Sequence, residues 1–171
     1  MNRILAVALI AALALAATAV AAGKGAKTYR AKLAPVAAGA TTPTGKAHLV
    51  DGKKNNFVTI HVKGLTSGTT YPWHVHKFLA GVTDPCAAGA AQGPIDTRFA
   101  YGTLTGNEDG NGSAKGKNNP ANPERFNWGT DKYYVNVHDP ATGTPISCGV
   151  LERKWPKNQP NGKAKGHAKQ S

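Results

Sequence analysis

Residues 55–63 read NNFVTIHVK, and residues 64–68, which follow them directly, read GLTSG. In the first stretch the branched apolar side chains of Val58, Ile60 and Val62 recur at every second position. A period of two is typical of a β-strand with one buried face. The glycine-rich segment behind it is typical of a turn. The stretch therefore predicts a strand that ends in a turn.

The same pattern returns along the middle of the chain, where Gly and Pro recur too often for a convincing helix. The candidate strands are residues 28–33, 44–50, 55–63, 71–76, 99–104, 112–115, 132–138 and 147–153. About eight short strands separated by turns predict an all-β sandwich or barrel. Residues 79–98 and 115–131 are predicted to be long loops, and such loops on a β scaffold usually carry function.

The two ends of the chain differ from its middle. Residues 1–22 have a basic flank, an Ala- and Leu-rich apolar run and a small-x-small ending, which predict a secretory signal peptide. We expect residues 23–27 to be a flexible stub, residues 28–155 to form one β domain, and residues 156–171 to be a disordered basic tail. No other run is long enough to cross a bilayer. The mature protein is therefore expected to be secreted, periplasmic or part of the cell envelope, without a transmembrane segment.

The chain carries a formal net charge of +12, and many of its lysines lie in the tail. No groove-reading motif is present, and export argues against nucleic acid as a partner. A basic tail would attract acidic envelope polymers or anionic membranes. Plain solubility is the simpler interpretation of the same charge.

Two histidines one residue apart, His74 and His76, follow the aromatic run YPW at 71–73. A third, His138, ends the alternating run YYVNVH at 133–138. Residues i and i+2 of a strand share a face, so neighbouring strands would bring three imidazoles together. Ring nitrogens about 3 to 4 Å apart could then surround one ion at roughly 2 Å, which suits copper or catalytic zinc. The other histidines are interpreted as structural or solvated: His48, His61 and His167.

Two cysteines, Cys86 and Cys148, make up the whole cysteine content. An even count in an exported chain favours a disulfide between them. Two free thiols acting as metal ligands are the weaker alternative, because the chain lacks CxxC spacing.

Several of these motifs occur in an order that resembles the copper/zinc superoxide dismutase family. They are GLTSG at 64–68, WHVHKF at 73–78, Cys86, YVNVH at 134–138 and SCGVL at 147–151. The resemblance covers most of the chain from about residue 28 to 152. It implies an eight-stranded Greek-key β-barrel with long loops and a disulfide between Cys86 and Cys148. It also implies that His74, His76 and His138 bind copper and act in catalysis.

The chain departs from that family between His76 and His138, where it has no histidine. The family's bridging and zinc-binding histidines are therefore missing, so we expect copper as the cofactor and do not expect zinc. The short loop between His138 and Cys148 also truncates the family's electrostatic channel.

Parts of the chain also resemble the CHRD domain, notably TGKAHL at 44–49 and YYVNVHDPATG at 133–143. That family is all-β, and resemblance to it implies no established chemistry. The sequence thus leaves three hypotheses. The first is an exported, copper-dependent dismutase-like enzyme acting on superoxide at one three-histidine site. The second is a non-catalytic copper-binding protein. The third is a CHRD-like structural or envelope-interaction domain without metal.

Overall fold

The computed structural model describes residues 26–52, 56–122 and 130–153, and this part of the chain is all-β. Its strands are β1 (Lys27–Pro35), β2 (Thr44–Asp51), β3 (Asn56–Lys63), β4 (Thr70–Tyr71), β5 (Trp73–Lys77), β6 (Phe99–Tyr101), β7 (Leu104–Thr105), β8 (Asn111–Asn118), β9 (Tyr133–His138), β10 (Pro145–Val150) and β11 (Glu152–Arg153). These residues include no helix that could span a membrane.

Eight strands form one antiparallel path in the order β5-β9-β10-β1-β2-β3-β8-β6, and β11 adds to β1. A separate short ladder joins β4 to β7. The chain leaves β3 near one end of the path and enters β5 at the opposite edge. Crossings of this kind produce a Greek-key arrangement. The all-β, eight-stranded barrel predicted from the sequence is confirmed.

The barrel interior is filled by the alternate apolar residues that the sequence pattern picks out. In β3, Val58, Ile60 and Val62 are at most 1% exposed. The same core contains the inward residues of β5 and β9, which are Trp73, Val75, Tyr133, Val135 and Val137. Because Cβ directions alternate along a strand, this inward set turns His74, His76 and His138 to the outside of the barrel.

The two edge strands β5 and β6 are joined through side chains. The Tyr101 hydroxyl accepts a hydrogen bond from Val75 N at 3.1 Å and donates to Asp96 O at 2.8 Å. Trp73 Nε1 donates to Gly102 O at 2.8 Å. These bonds hold the seam beside the histidine pair in place of a regular ladder.

Three predicted strands prove to be interrupted, and two of the interruptions mark a change of partner. The predicted strand 71–76 splits at Pro72, which has no N–H to donate, so β4 pairs with β7 and β5 pairs with β9. The predicted strand 99–104 splits into β6 and β7, which pair with β8 and β4. The predicted strand 147–153 splits at Leu151 into β10 and β11.

The predicted signal peptide, most of the stub and the whole of the basic tail lie outside the described residues. His167 falls there as well. These remain sequence-based predictions.

Candidate metal centre

Three histidines meet on the outer face of strands β5 and β9. His74 pairs in register with Asn136, and His76 pairs with Tyr134. His138 ends β9, and its backbone N–H donates to Pro72 O at 2.9 Å. One ring nitrogen from each histidine lies within 4.8 Å of those of the other two. The predicted convergence of His74, His76 and His138 is therefore present.

The free nitrogens of this cluster are unpaired lone-pair sites. His74 Nδ1, His76 Nε2 and His138 Nε2 are buried and have no hydrogen-bond partner. His76 Nδ1 contacts Gly93 O at 2.8 Å, and His138 Nδ1 contacts Gly143 O at 3.0 Å. A carbonyl can only accept, so both Nδ1 atoms carry the hydrogen and leave Nε2 as a free lone pair in the neutral ring. The backbone thus fixes the tautomers of His76 and His138 that metal binding requires.

Burial keeps the three rings neutral. Burial, together with the neighbouring His138 and His76, lowers the pKa of His74 to about 4. Burial also lowers the pKa of His76 and of His138, and the hydrogen bonds to Gly93 and Gly143 oppose that effect only in part. A metal competes with protons for imidazole nitrogen, so lowered pKa values leave the nitrogens available near neutral pH.

A covering loop, residues 78–98, packs on the outer face at His76. Lys77 N donates to Pro94 O at 3.1 Å, and Asp96 N donates to Val75 O at 2.8 Å. Gly93, which directly precedes Pro94, is buried so close to the Lys77 carbonyl that no side chain fits there. The loop is also held by the Cys86–Cys148 disulfide, whose Cα atoms are 5.4 Å apart. The predicted disulfide is therefore present, and it ties the covering loop to β10.

The underside of the covering loop forms a polar network with β9. The Tyr134 hydroxyl accepts from Gly93 N at 2.8 Å and donates to Gln92 Oε1 at 3.4 Å. The Tyr134 ring stacks on His76 with centroids 5.2 Å apart. Asn136 Nδ2 also donates to Gln92 Oε1. The stacked Tyr134 ring and the Gly93 carbonyl together fix the position of the His76 ring.

A tight turn holds His138 from the other end. Asp139 Oδ1 accepts from the N–H groups of Ala141 and Thr142, both at 2.9 Å. Gly143 N donates back to Asp139 O at 2.9 Å, which places the Gly143 carbonyl against His138 Nδ1. Asp139 therefore supports the site through the backbone of this turn.

The remaining described histidines lie far from this cluster on the sheet formed by β1, β2, β3 and β8. His61 is exposed and pairs through Nδ1 with Ser113 Oγ at 2.8 Å. His48 is half-buried on β2, directly opposite Arg30 of β1, and burial with the nearby Arg30 lowers its pKa. Neither is part of the group of three histidines that could hold a metal ion.

The donor set fits a transition-metal ion. Imidazole nitrogens suit copper and zinc, and three of them leave a coordination position open. Bonds of about 2 Å allow nitrogen pairs at most about 4 Å apart, so closing the widest pair from its limit of 4.8 Å requires a movement of less than about 1 Å. The geometry supports metal binding and leaves the identity of the metal open.

Four further residues of this site were not predicted from the sequence: Gln92, Gly93, Tyr134 and Asn136. Tyr134 and Asn136 lie four and two positions before His138. Alternation along β9 could therefore have placed both on the same face as the histidine. Nothing in the irregular loop sequence signals that the Gly93 carbonyl would meet His76.

No family model, no curated protein and no solved structure matches this chain. The resemblances to the dismutase family and to the CHRD domain therefore stay expectations from the sequence. What the described residues establish is an antiparallel barrel with a disulfide-tied loop over three convergent histidines that could hold a metal ion.

Proposed function

We propose that this chain is an exported copper-binding protein that dismutates superoxide at the site formed by His74, His76 and His138. The observation that carries the proposal is the convergence of three buried, unpartnered ring nitrogens. An unpaired polar atom in a buried position destabilises the fold unless something binds it. A bound metal would satisfy all three nitrogens together.

Copper is preferred over zinc for two reasons. Among the divalent ions of the first row, copper(II) binds a given nitrogen site most tightly. The resemblance to the dismutase family also assigns these three positions to copper. Bound copper would supply one-electron redox chemistry, which would oxidise one superoxide to O2 and reduce a second, with two protons, to H2O2.

The residues of the chain would bind the copper ion, orient its histidine ligands and shield the site from solvent. Gly93 and Gly143 carbonyls hold the rings of His76 and His138, which are 3% and 8% exposed. Both Nδ1 protons are committed to these carbonyls, so protons for peroxide formation must come from solvent. His74 is the most exposed of the three, which makes its side of the site the route for a small anion.

The test combines metal content with superoxide decay. The purified protein is dialysed against Cu(II) or Zn(II), washed with a chelator and analysed for metal. We expect one copper per chain in the wild type, a large loss in His138→Ala, and no loss in His61→Ala, the matched control from an exposed strand position. Copper binding that is weaker than zinc binding, or unchanged in His138→Ala, would contradict the proposal.

Superoxide decay then separates catalysis from simple binding. The copper-loaded protein should accelerate decay beyond chelated free copper, and His138→Ala should lose that acceleration. Stoichiometric copper without acceleration would leave a non-catalytic copper-binding protein. Failure to bind any metal would leave the CHRD-like structural interpretation.

A further inference from the structure

A fourth buried polar atom lies beside the three histidines. In residues 26–52, 56–122 and 130–153, the buried side-chain nitrogen and oxygen atoms without a partner number four. Three are the free histidine nitrogens, and the fourth is Asn136 Oδ1. Asn136 is fully buried, at 0% exposed. Because buried polar groups are nearly always paired, four exceptions on one face of one strand pair indicate a ligand site.

The strand register places Asn136 next to every histidine of the cluster. It lies directly opposite His74 across the β5–β9 ladder. It is diagonal to His76, because His76 pairs with Tyr134, two residues earlier on β9. It also precedes His138 by two positions on the same strand face. Opposite, diagonal and same-face neighbours are the positions from which side chains meet on a sheet.

The hydrogen-bond network fixes which end of the Asn136 amide is free. Gln92 Nε2 donates to Ala90 O at 3.0 Å, so the other atom of that amide, Oε1, faces Asn136. Tyr134 O–H also donates to Gln92 Oε1. A reversed Asn136 amide would set two oxygen acceptors against each other. The nitrogen of Asn136 is therefore engaged, and its oxygen is the free atom.

An amide oxygen can only accept a hydrogen bond, so the missing partner must be a donor. The three histidines cannot supply it while their free nitrogens bind a metal. The geometry points to Asn136 as a positioning residue whose Oδ1 accepts a hydrogen bond from a water molecule at the open position of the three-histidine site. This inference rests on the proposed function, because the water is held there by the metal.

One consequence concerns the charge of the ligand that the site admits. An acceptor oxygen favours a ligand that carries hydrogen, such as water or hydrogen peroxide. It disfavours a small anion that has no hydrogen to donate. Asn136 would therefore favour the bound water over anions, and superoxide, the anion of the proposed reaction, would have to displace that water.

The test uses azide as the anion and the copper-loaded full chain. Asn136→Leu removes the acceptor with little change in size. We expect it to keep one copper per chain and to bind azide about tenfold more tightly, the effect of one hydrogen bond of ~1.4 kcal/mol. Azide binding is read from the ligand-to-copper absorption band, independently of superoxide decay.

The double variant Cys86→Ser with Cys148→Ser is the matched control. It removes the covalent tie of the covering loop and leaves the Asn136 amide with its partner Gln92. Its azide affinity should stay near that of the wild type. An equal gain in both variants would mean that loosening of the covering loop, and not the lost acceptor, causes the change, and the inference would fail.

A crystal structure of the copper-loaded wild type tests the same point even if Asn136→Leu does not fold. We expect a water oxygen within hydrogen-bond distance of Asn136 Oδ1. Direct contact of Oδ1 with copper, or an Oδ1 atom without a water, would overturn the inference. A wild type that binds no copper would instead overturn the proposed function, so the two failures are distinguishable.

Discussion

Two outer faces of the same barrel carry histidines, but the surroundings of these histidines differ between the two faces. On the open basic face, formed by strands β1, β2, β3 and β8, His48 and His61 lie among exposed cationic side chains: Arg30, Lys32, Lys46, Lys115 and Lys117. On the covered face, formed by β5 and β9, the covering loop packs against His76, and three histidine nitrogens are buried without partners. The strand pattern is similar on both faces, and the loop makes the difference.

This comparison shows what converts ordinary strand histidines into a candidate metal centre. On the open face water can satisfy any ring nitrogen. On the covered face the loop removes water, and its Gly93 carbonyl fixes one ring tautomer. A metal then has no competing water to displace from those nitrogens.

The largest expected effect comes from cutting the tie that holds the covering loop. The Cys86–Cys148 disulfide spans a sequence separation of 62 residues. On the chain-entropy model, replacing both cysteines by Ser should lower the free energy of unfolding by roughly 4 kcal/mol. Denaturant unfolding measures this. A loss below about 1 kcal/mol would show that the loop needs no covalent tie.

A smaller effect should follow from Gly93→Ala. A Cβ at this position would collide with the backbone carbonyl of Lys77, so the loop must shift away from β5. We expect a destabilisation of about 1–3 kcal/mol together with weaker copper binding, because the partner of His76 Nδ1 moves. Gly89→Ala is the matched control for copper binding, since a Cβ there has no atom within 4 Å although its positive φ adds local strain. Equal copper affinity in Gly93→Ala and wild type would contradict the role of the loop.

The stability of the metal-free protein should depend on pH through the covered histidines, and this effect should be intermediate to small. The pKa of folded His74 is lowered to about 4, below the ordinary histidine value of 6.5. Between these values the unfolded chain binds more protons, so the metal-free protein loses stability as pH falls from 6.5 towards 4. The slope is at most about 1.4 kcal/mol per pH unit for each such histidine, and less for the half-buried His74 because solvent screens it.

Comparison of the wild type with His74→Asn isolates this contribution from carboxylates that titrate in the same range. Unfolding curves at pH 7, 6, 5 and 4.5 should show a shallower decline in the variant. Parallel declines would mean that the covering loop does not desolvate His74.

The smallest effect is expected on the open basic face. The double variant His48→Ala with His61→Ala removes two rings from solvent-facing positions and one exposed hydrogen bond to Ser113. Surface substitutions of this kind usually change stability by less than about 0.5 kcal/mol, and copper content should be unchanged. Loss of copper in this variant would show that histidines of the open basic face also contribute to copper binding.

Much of the fold follows from local sequence, because alternation requires no knowledge of distant partners. Val58, Ile60 and Val62 point inward for the same reason that His74 and His76 point outward. Strand ends were less predictable, since Pro72 divides what reads as one alternating run. Pairing with β7 or β9 depends on residues far along the chain.

The site was predictable only where the histidines repeat the strand period. His74, His76 and His138 share faces by alternation, and their convergence needed only that β5 and β9 be neighbours. Gly93 and Gln92 lie in an irregular loop, and their contacts with His76 and Asn136 arise from how that loop docks. No periodic signal encodes such docking.

Electron paramagnetic resonance of the Cu(II)-loaded protein tests the central claim most directly, because nitrogen couplings count the imidazoles bound to copper. The account predicts couplings from three nitrogens in the wild type and in His61→Ala, and from two in any His138→Ala protein that still retains copper. A wild-type spectrum without histidine nitrogen couplings, or one that His138→Ala leaves unchanged, would contradict it.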